Sequence, residues 1–173
     1  MTLLNEKKTY EDLLNEVKSK VSKETFNYLI HQEDCELEND FLGFLEVYDI
    51  LRRIVPTDYV IIDLGCYMAA QALLFTQYRA YVGVDICNNL ERFTTENTYH
   101  YGMSIKAFLD APFQKYKDRK YFGICSYVPD FDSVKEAEKV FDNILIIYPE
   151  TDIRLKINGE YKNIADYLKG EKL

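Results

Sequence analysis

Residues that could do chemistry fall in three stretches. Asp63 and Gly65 lie in Tyr59-Val-Ile-Ile-Asp-Leu-Gly-Cys-Tyr-Met-Ala-Ala70, Asp85 lies in Tyr81-Val-Gly-Val-Asp-Ile86, and Asp130 ends Cys125-Ser-Tyr-Val-Pro-Asp130. Each of the first two acids closes an apolar, β-branched run, the acids stand about twenty residues apart, and helix formers follow Gly65. Strand, tight turn, helix and strand in that order put two carboxylates and a helix N-terminus at one sheet edge. An open α/β sheet binds its ligand at such an edge. The third stretch offers a hydroxyl, a phenol and a carboxylate, with Pro129 to stiffen the loop.

These groups need a scaffold, and the hydrophobic pattern supplies one. Thr9 with Asp12 reads as an N-cap, followed by Leu13, Leu14, Val17 and Val21 at helical spacing; a second helix is predicted over Lys23–His31, with Phe26, Leu29 and Ile30 inward. The acidic stretch from Gln32 to Glu38 reads as a solvated connection. A third helix, capped by Asn39 or Asp40, carries Phe41, Phe44, Leu45, Tyr48, Leu51 and Val55 on one face and stops at Pro56. Strands are predicted at Tyr59–Leu64, Arg79–Asp85, Thr98–Tyr101, Tyr121–Tyr127 and Asn143–Tyr148. Between them the pattern predicts helices over Met68–Gln77, over Asn88–Glu96, from a Ser104 cap to Leu109, and after a cap at Asp132 or Ser133. Alternation of this kind argues for a mainly parallel sheet with helices on both faces. Around Asn158-Gly159 the residues alternate as a β-hairpin does.

The chain of 173 residues has room for one full core, so a single domain is expected, with a helical extension over 1–37, a core over 39–148 and a hairpin and tail over 151–173. Twenty-nine acids against twenty-one Lys and Arg give a net charge of −8, which opposes nucleic-acid binding, and the bases form no evident cluster in the sequence. No apolar run approaches the roughly 20 residues of a membrane span, and the polar N-terminus lacks a signal-peptide core, so a cytoplasmic protein is expected. Cys35, Cys66, Cys87 and Cys125 form no CxxC pair and His31 lies far from His100, so reduced thiols and no metal are expected.

Strand one ending in Asp63-Leu-Gly-Cys and strand two ending in Val82-Gly-Val-Asp-Ile86 resemble a class I S-adenosylmethionine-dependent methyltransferase, over roughly residues 39–148. The resemblance implies a Rossmann-like methyltransferase fold and S-adenosylmethionine as cofactor. In that family a glycine-rich turn admits the methionine part of the cofactor, which would fall to Asp63, Gly65, Cys66, Tyr67 and Ala69 here. The acid after strand two takes the ribose hydroxyls, which would make Asp85 the ribose ligand, with Ile86 against the adenine. Acceptors often approach after strand four, so Asp130 becomes the candidate general base; its alternative role is a loop acid or helix cap. The family turn reads Asp-x-Gly-x-Gly-x-Gly, and Tyr67 and Ala69 occupy its second and third glycine positions. The acid often found after strand three has no clear counterpart at Met103–Ser104, and only a short segment follows strand five.

Three functions follow as alternatives. One is an S-adenosylmethionine-binding methyltransferase of unknown acceptor. Another is a catalytically inactive scaffold that works through a protein partner, motivated by Tyr67 and the short C-terminus. The third is a dinucleotide enzyme, for which Gly65-Cys-Tyr-Met-Ala-Ala70 matches only the ends of Gly-x-Gly-x-x-Gly/Ala.

Overall fold

The chain is described by a computed structural model over residues 7–31, 41–87, 91–149 and 152–169. Cys35, the acidic stretch 32–38 and the caps expected at Asn39 or Asp40 lie outside those residues.

The N-terminal helices form as their sequence predicts. Thr9 and Asp12 make a reciprocal capping box on α1 (Tyr10–Lys20), and α2 (Lys23–His31) follows. A single 3-10 turn, Leu42–Phe44, leads into α3 (Leu45–Ile54), whose Leu45, Tyr48 and Leu51 are fully buried. Arg52 reaches Glu16 of α1 at 3.0 Å, which ties α3 to α1 through a half-buried ion pair.

The sheet is built from β1 (Val60–Leu64), β2 (Ala80–Asp85), β3 (Thr98–Gly102), β4 (Tyr121–Ser126), β5 (Ile144–Ile147), β6 (Ile153–Ile157) and β7 (Glu160–Lys162). Its order is β3-β2-β1-β4-β5-β6-β7. The first five strands pair in parallel, β6 adds antiparallel to β5, and β7 adds antiparallel to β6. The fold is therefore α/β, with a mostly parallel mixed sheet flanked by helices, compatible with a Rossmann-like architecture. The hairpin turns at Asn158 and Gly159, both at positive φ (52° and 81°), as a tight primed turn requires.

One face of the sheet, bearing Ile61, Tyr81, Phe122, Ile124 and Leu145, packs under α1, α2, α3 and α6 (Ile164–Leu168). The other, bearing Val60, Ile62, Leu64, Val82 and Val84, packs under α4 (Ile105–Asp110) and α5 (Phe131–Val140). Burial on both faces explains why β1 reads as a continuous apolar run.

Two predicted helices do not form among the described residues. The stretch expected to be helical over Met68–Gln77 holds only a five-residue 3-10 helix, Ala70–Leu74, all of it buried. Ala69 at φ 57° blocks an α-helical start. The carbonyls released by the missing turns are taken by remote side chains: Lys20 donates to Leu73 O, and Asn97 donates to Phe75 O and Tyr78 O. The second, expected over Asn88–Glu96, is not helical over its described residues 91–96, where Arg92 and Phe93 are bonded to neighbouring strands and loops instead. Among the described residues no helix is long and apolar enough to cross a membrane.

Candidate functional site

The C-terminal ends of β1, β2 and β4 meet, and the chain leaves β1 there in an unusual backbone. Gly65, Tyr67 and Ala69 alternate at positive φ, 76°, 49° and 57°. Glycine adopts that region at no steric cost, whereas a side chain costs about 1–2 kcal/mol per residue. The loop thus keeps at three alternate positions the backbone that glycine favours, with glycine at the first of them alone. Such geometry persists only when surrounding contacts over-determine it. Those contacts are visible: Gly65 and Cys66 N–H both donate to Val84 O, Tyr67 N–H donates to Asp85 Oδ2 at 2.8 Å, and Phe93 N–H donates to Met68 O. Tyr67→Gly is expected to leave stability within about 1 kcal/mol of the native chain, while Tyr67→Val, stiff at its β-carbon, should lose about 2 kcal/mol. Urea unfolding of the two variants checks this.

Asp85 anchors the loop from the end of β2. Besides Tyr67 N–H it accepts Cys87 N–H on Oδ1 at 2.7 Å. A carboxylate has about four acceptor sites, so part of its capacity stays available to a ligand. The next residue, Ile86, is a large apolar side chain left 70% exposed. Arg92 closes the far side: its guanidinium donates to Asp85 O, Cys87 O and Tyr101 O, the carbonyls where β2 and β3 end. Sequence reasoning missed Arg92, although it is the lone cation in Asn88–Glu96.

Asp63 sits elsewhere. Strand parity turns it with Ile61 toward the α3 side, where it is fully buried and accepts the Tyr81 hydroxyl. Beside it, Tyr48 OH shares a hydrogen bond with Ser126 Oγ at 3.0 Å, and Gln71 Nε2 donates to Tyr48 OH. Asp63 Oδ1 and Gln71 Oε1 have no partner among the described residues. Burial pushes the Asp63 carboxyl up to about 7, the Tyr81 hydrogen bond opposing and the nearby Asp85 charge adding to the rise. Burial likewise raises the Cys66 and Cys125 thiols, so neither is a thiolate at neutral pH.

Asp130 is the N-cap of α5, ahead of the cap predicted at Asp132 or Ser133. Its oxygens accept Ser133 Oγ at 2.6 Å and Ser133 N–H at 3.2 Å, and those bonds hold its carboxyl below the ordinary range. A lowered carboxyl is a weaker base than a free aspartate. The preceding Tyr127 is at φ 55°, and Val128 meets Gly65, where a Cβ would stand 2.3 Å from Val128 Cγ2. The fold therefore brings Gly65, Tyr67, Asp85, Ile86 and Val128 to one edge, with Asp63 beneath it and Asp130 committed to its own helix.

Among the described residues no group of three or more His, Cys, Asp or Glu could hold a metal ion. Cys66 and Cys125 are buried, and Cys87 is exposed. Neither the models of protein families nor the curated proteins compared with the chain match it.

Proposed function

We propose that the chain is an S-adenosylmethionine-binding, methyltransferase-like protein whose cofactor lies at the C-terminal edge of β1 and β2. The observation that carries this reading is the alternate left-handed backbone at Gly65, Tyr67 and Ala69, held in place by Asp85. A strained loop pinned to a partly available carboxylate is what a preorganised ligand clamp requires. Asp85 would take the ribose hydroxyls on its unused acceptor sites, and exposed Ile86 would pack against the base. The cofactor, when bound, supplies an electrophilic methyl group. Methyl transfer then depends chiefly on alignment, so a rigid loop contributes more than a strong base would.

Thermal unfolding with and without S-adenosylmethionine tests the reading. The native chain should gain several degrees at millimolar cofactor, and Asp85→Ala should gain nothing. Asp85→Asn, which keeps one oxygen for either the Tyr67 or the Cys87 N–H but not for both, separates loss of the charge from loss of the whole anchor. An equal gain in native chain and Asp85→Ala would contradict the site.

A second reading, a scaffold without catalysis, is favoured by one observation. All three candidate acids already serve the fold: Asp63 binds Tyr81, Asp85 binds Tyr67 and Cys87, and Asp130 binds Ser133. It predicts no cofactor effect on unfolding and retention of a protein partner.

A further inference from the structure

At the opposite edge of the sheet the fold brings Arg79 beside the basic stretch Lys115-Tyr-Lys-Asp-Arg-Lys120. Arg79 immediately precedes β2, and Lys115 and Arg119 lie in the connection before β4. Because β2 and β4 run parallel on either side of β1, both connections emerge at the same end. They line a half-open hollow of about 330 Å³, together with Val60 and Ala80, the first residues of β1 and β2. Tyr99 of β3 and Tyr116 complete its wall.

None of the three cations makes an ion pair or a side-chain hydrogen bond among the described residues, and Asp118, in the same connection, does not line the cavity. In a chain of net charge −8, gathered and unneutralised cations around a concavity point to an anionic ligand. Two of them are arginines, whose planar fork matches phosphate oxygens. Tyr99 is 59% exposed, so a flat ring is offered beside the cations. Aromatic rings in that setting stack on a nucleobase. The cavity falls in the range of roughly 300–1,000 Å³ typical of small-molecule pockets. The overall negative charge repels a long polyanion, whereas a compact ligand meets only the local field.

We infer that this edge binds a nucleoside diphosphate or triphosphate, its phosphates on Arg79, Lys115 and Arg119 and its base on Tyr99. The site is separate from the one at Asp85, since β2 spans the distance between them, roughly 17 Å for its length. Its existence does not depend on S-adenosylmethionine binding.

Calorimetric titration of the full chain with ADP, and separately with pyrophosphate, tests the inference. ADP should bind, more weakly as ionic strength rises, and the double variant Arg79→Ala/Arg119→Ala should weaken it at least about tenfold. Tyr99→Ala should weaken ADP by about fivefold or more and leave pyrophosphate unchanged. All of these side chains are exposed or at the rim, so circular dichroism should report an unchanged fold. Absence of ADP binding at millimolar concentration would overturn the proposal, as would ADP binding that Asp85→Ala abolishes and the double arginine variant leaves intact. Pyrophosphate binding as tightly as ADP, with Tyr99→Ala silent, would overturn the nucleotide assignment. A thymidine oligonucleotide binding more tightly than ADP would overturn the choice of a small ligand.

Discussion

Asp63→Asn should be more stable than the native chain above neutral pH and lose that advantage in acid. The carboxyl of Asp63 is fully buried, and its folded value of about 7 lies well above the 3.8 of an unperturbed aspartate. Between those values the folded state binds the proton that the unfolded state has already released, so stability falls as pH rises from about 4 to about 7 and is flat beyond. A shift of this size corresponds to roughly 4 kcal/mol. The amide keeps an acceptor for Tyr81 and carries no charge, so the falling limb should disappear. Its own N–H groups gain no evident partner, which costs about 1–3 kcal/mol and makes the variant the weaker one at low pH. Urea midpoints at about pH 4 and about pH 9 should therefore rank the two chains in opposite order. Parallel curves would show that Asp63 does not titrate in this range.

Gly65→Ala should cost about 3 kcal/mol, from two separable causes. The added methyl would stand 2.3 Å from Val128 Cγ2, and the residue would have to hold φ 76°. Val128→Ala removes the colliding atom and leaves Val128 Cβ at an ordinary 3.6 Å, at a cavity cost of about 1–2 kcal/mol on its own. The double variant should then lose about 1–2 kcal/mol less than the sum of the singles. Strict additivity would mean that the loops after β1 and β4 do not meet at Gly65.

What the sequence disclosed was whatever local chemistry decides. The Thr9–Asp12 box, the Ser104 cap and the Asn158-Gly159 turn are set by residues next to one another, and all three occur in the predicted places. Five strands were legible because continuous apolar runs bounded by turns have few other folds. The helix expected after Met68 failed because composition spoke for it and distant partners spoke against it. Ala70 to Leu74 are good helix formers, yet Lys20 and Asn97, each about twenty or more residues away, satisfy the carbonyls that an α-helix would have used. The site was half legible for a related reason. Asp63 and Asp85 both end strands, but a run buried on both faces does not reveal which side chain turns to which side. The register pairs Asp63 with Gly83, so both acids turn to the α3 face; Asp63 is covered there, while Asp85, two residues further along, stands at the edge beside Ile86. Arg92 escaped notice because its role lies in reaching three carbonyls, one on each of β2 and β3 and one just past β2.

The central claim is that the left-handed loop and Asp85 form a cofactor clamp, and calorimetric titration of the full chain with S-adenosylhomocysteine meets it most directly. The clamp predicts saturable heat that Asp85→Ala abolishes and the Arg79→Ala/Arg119→Ala variant preserves. No heat at millimolar ligand, from a chain whose circular dichroism reports an intact fold, would contradict it and leave the loop's strain to a structural role.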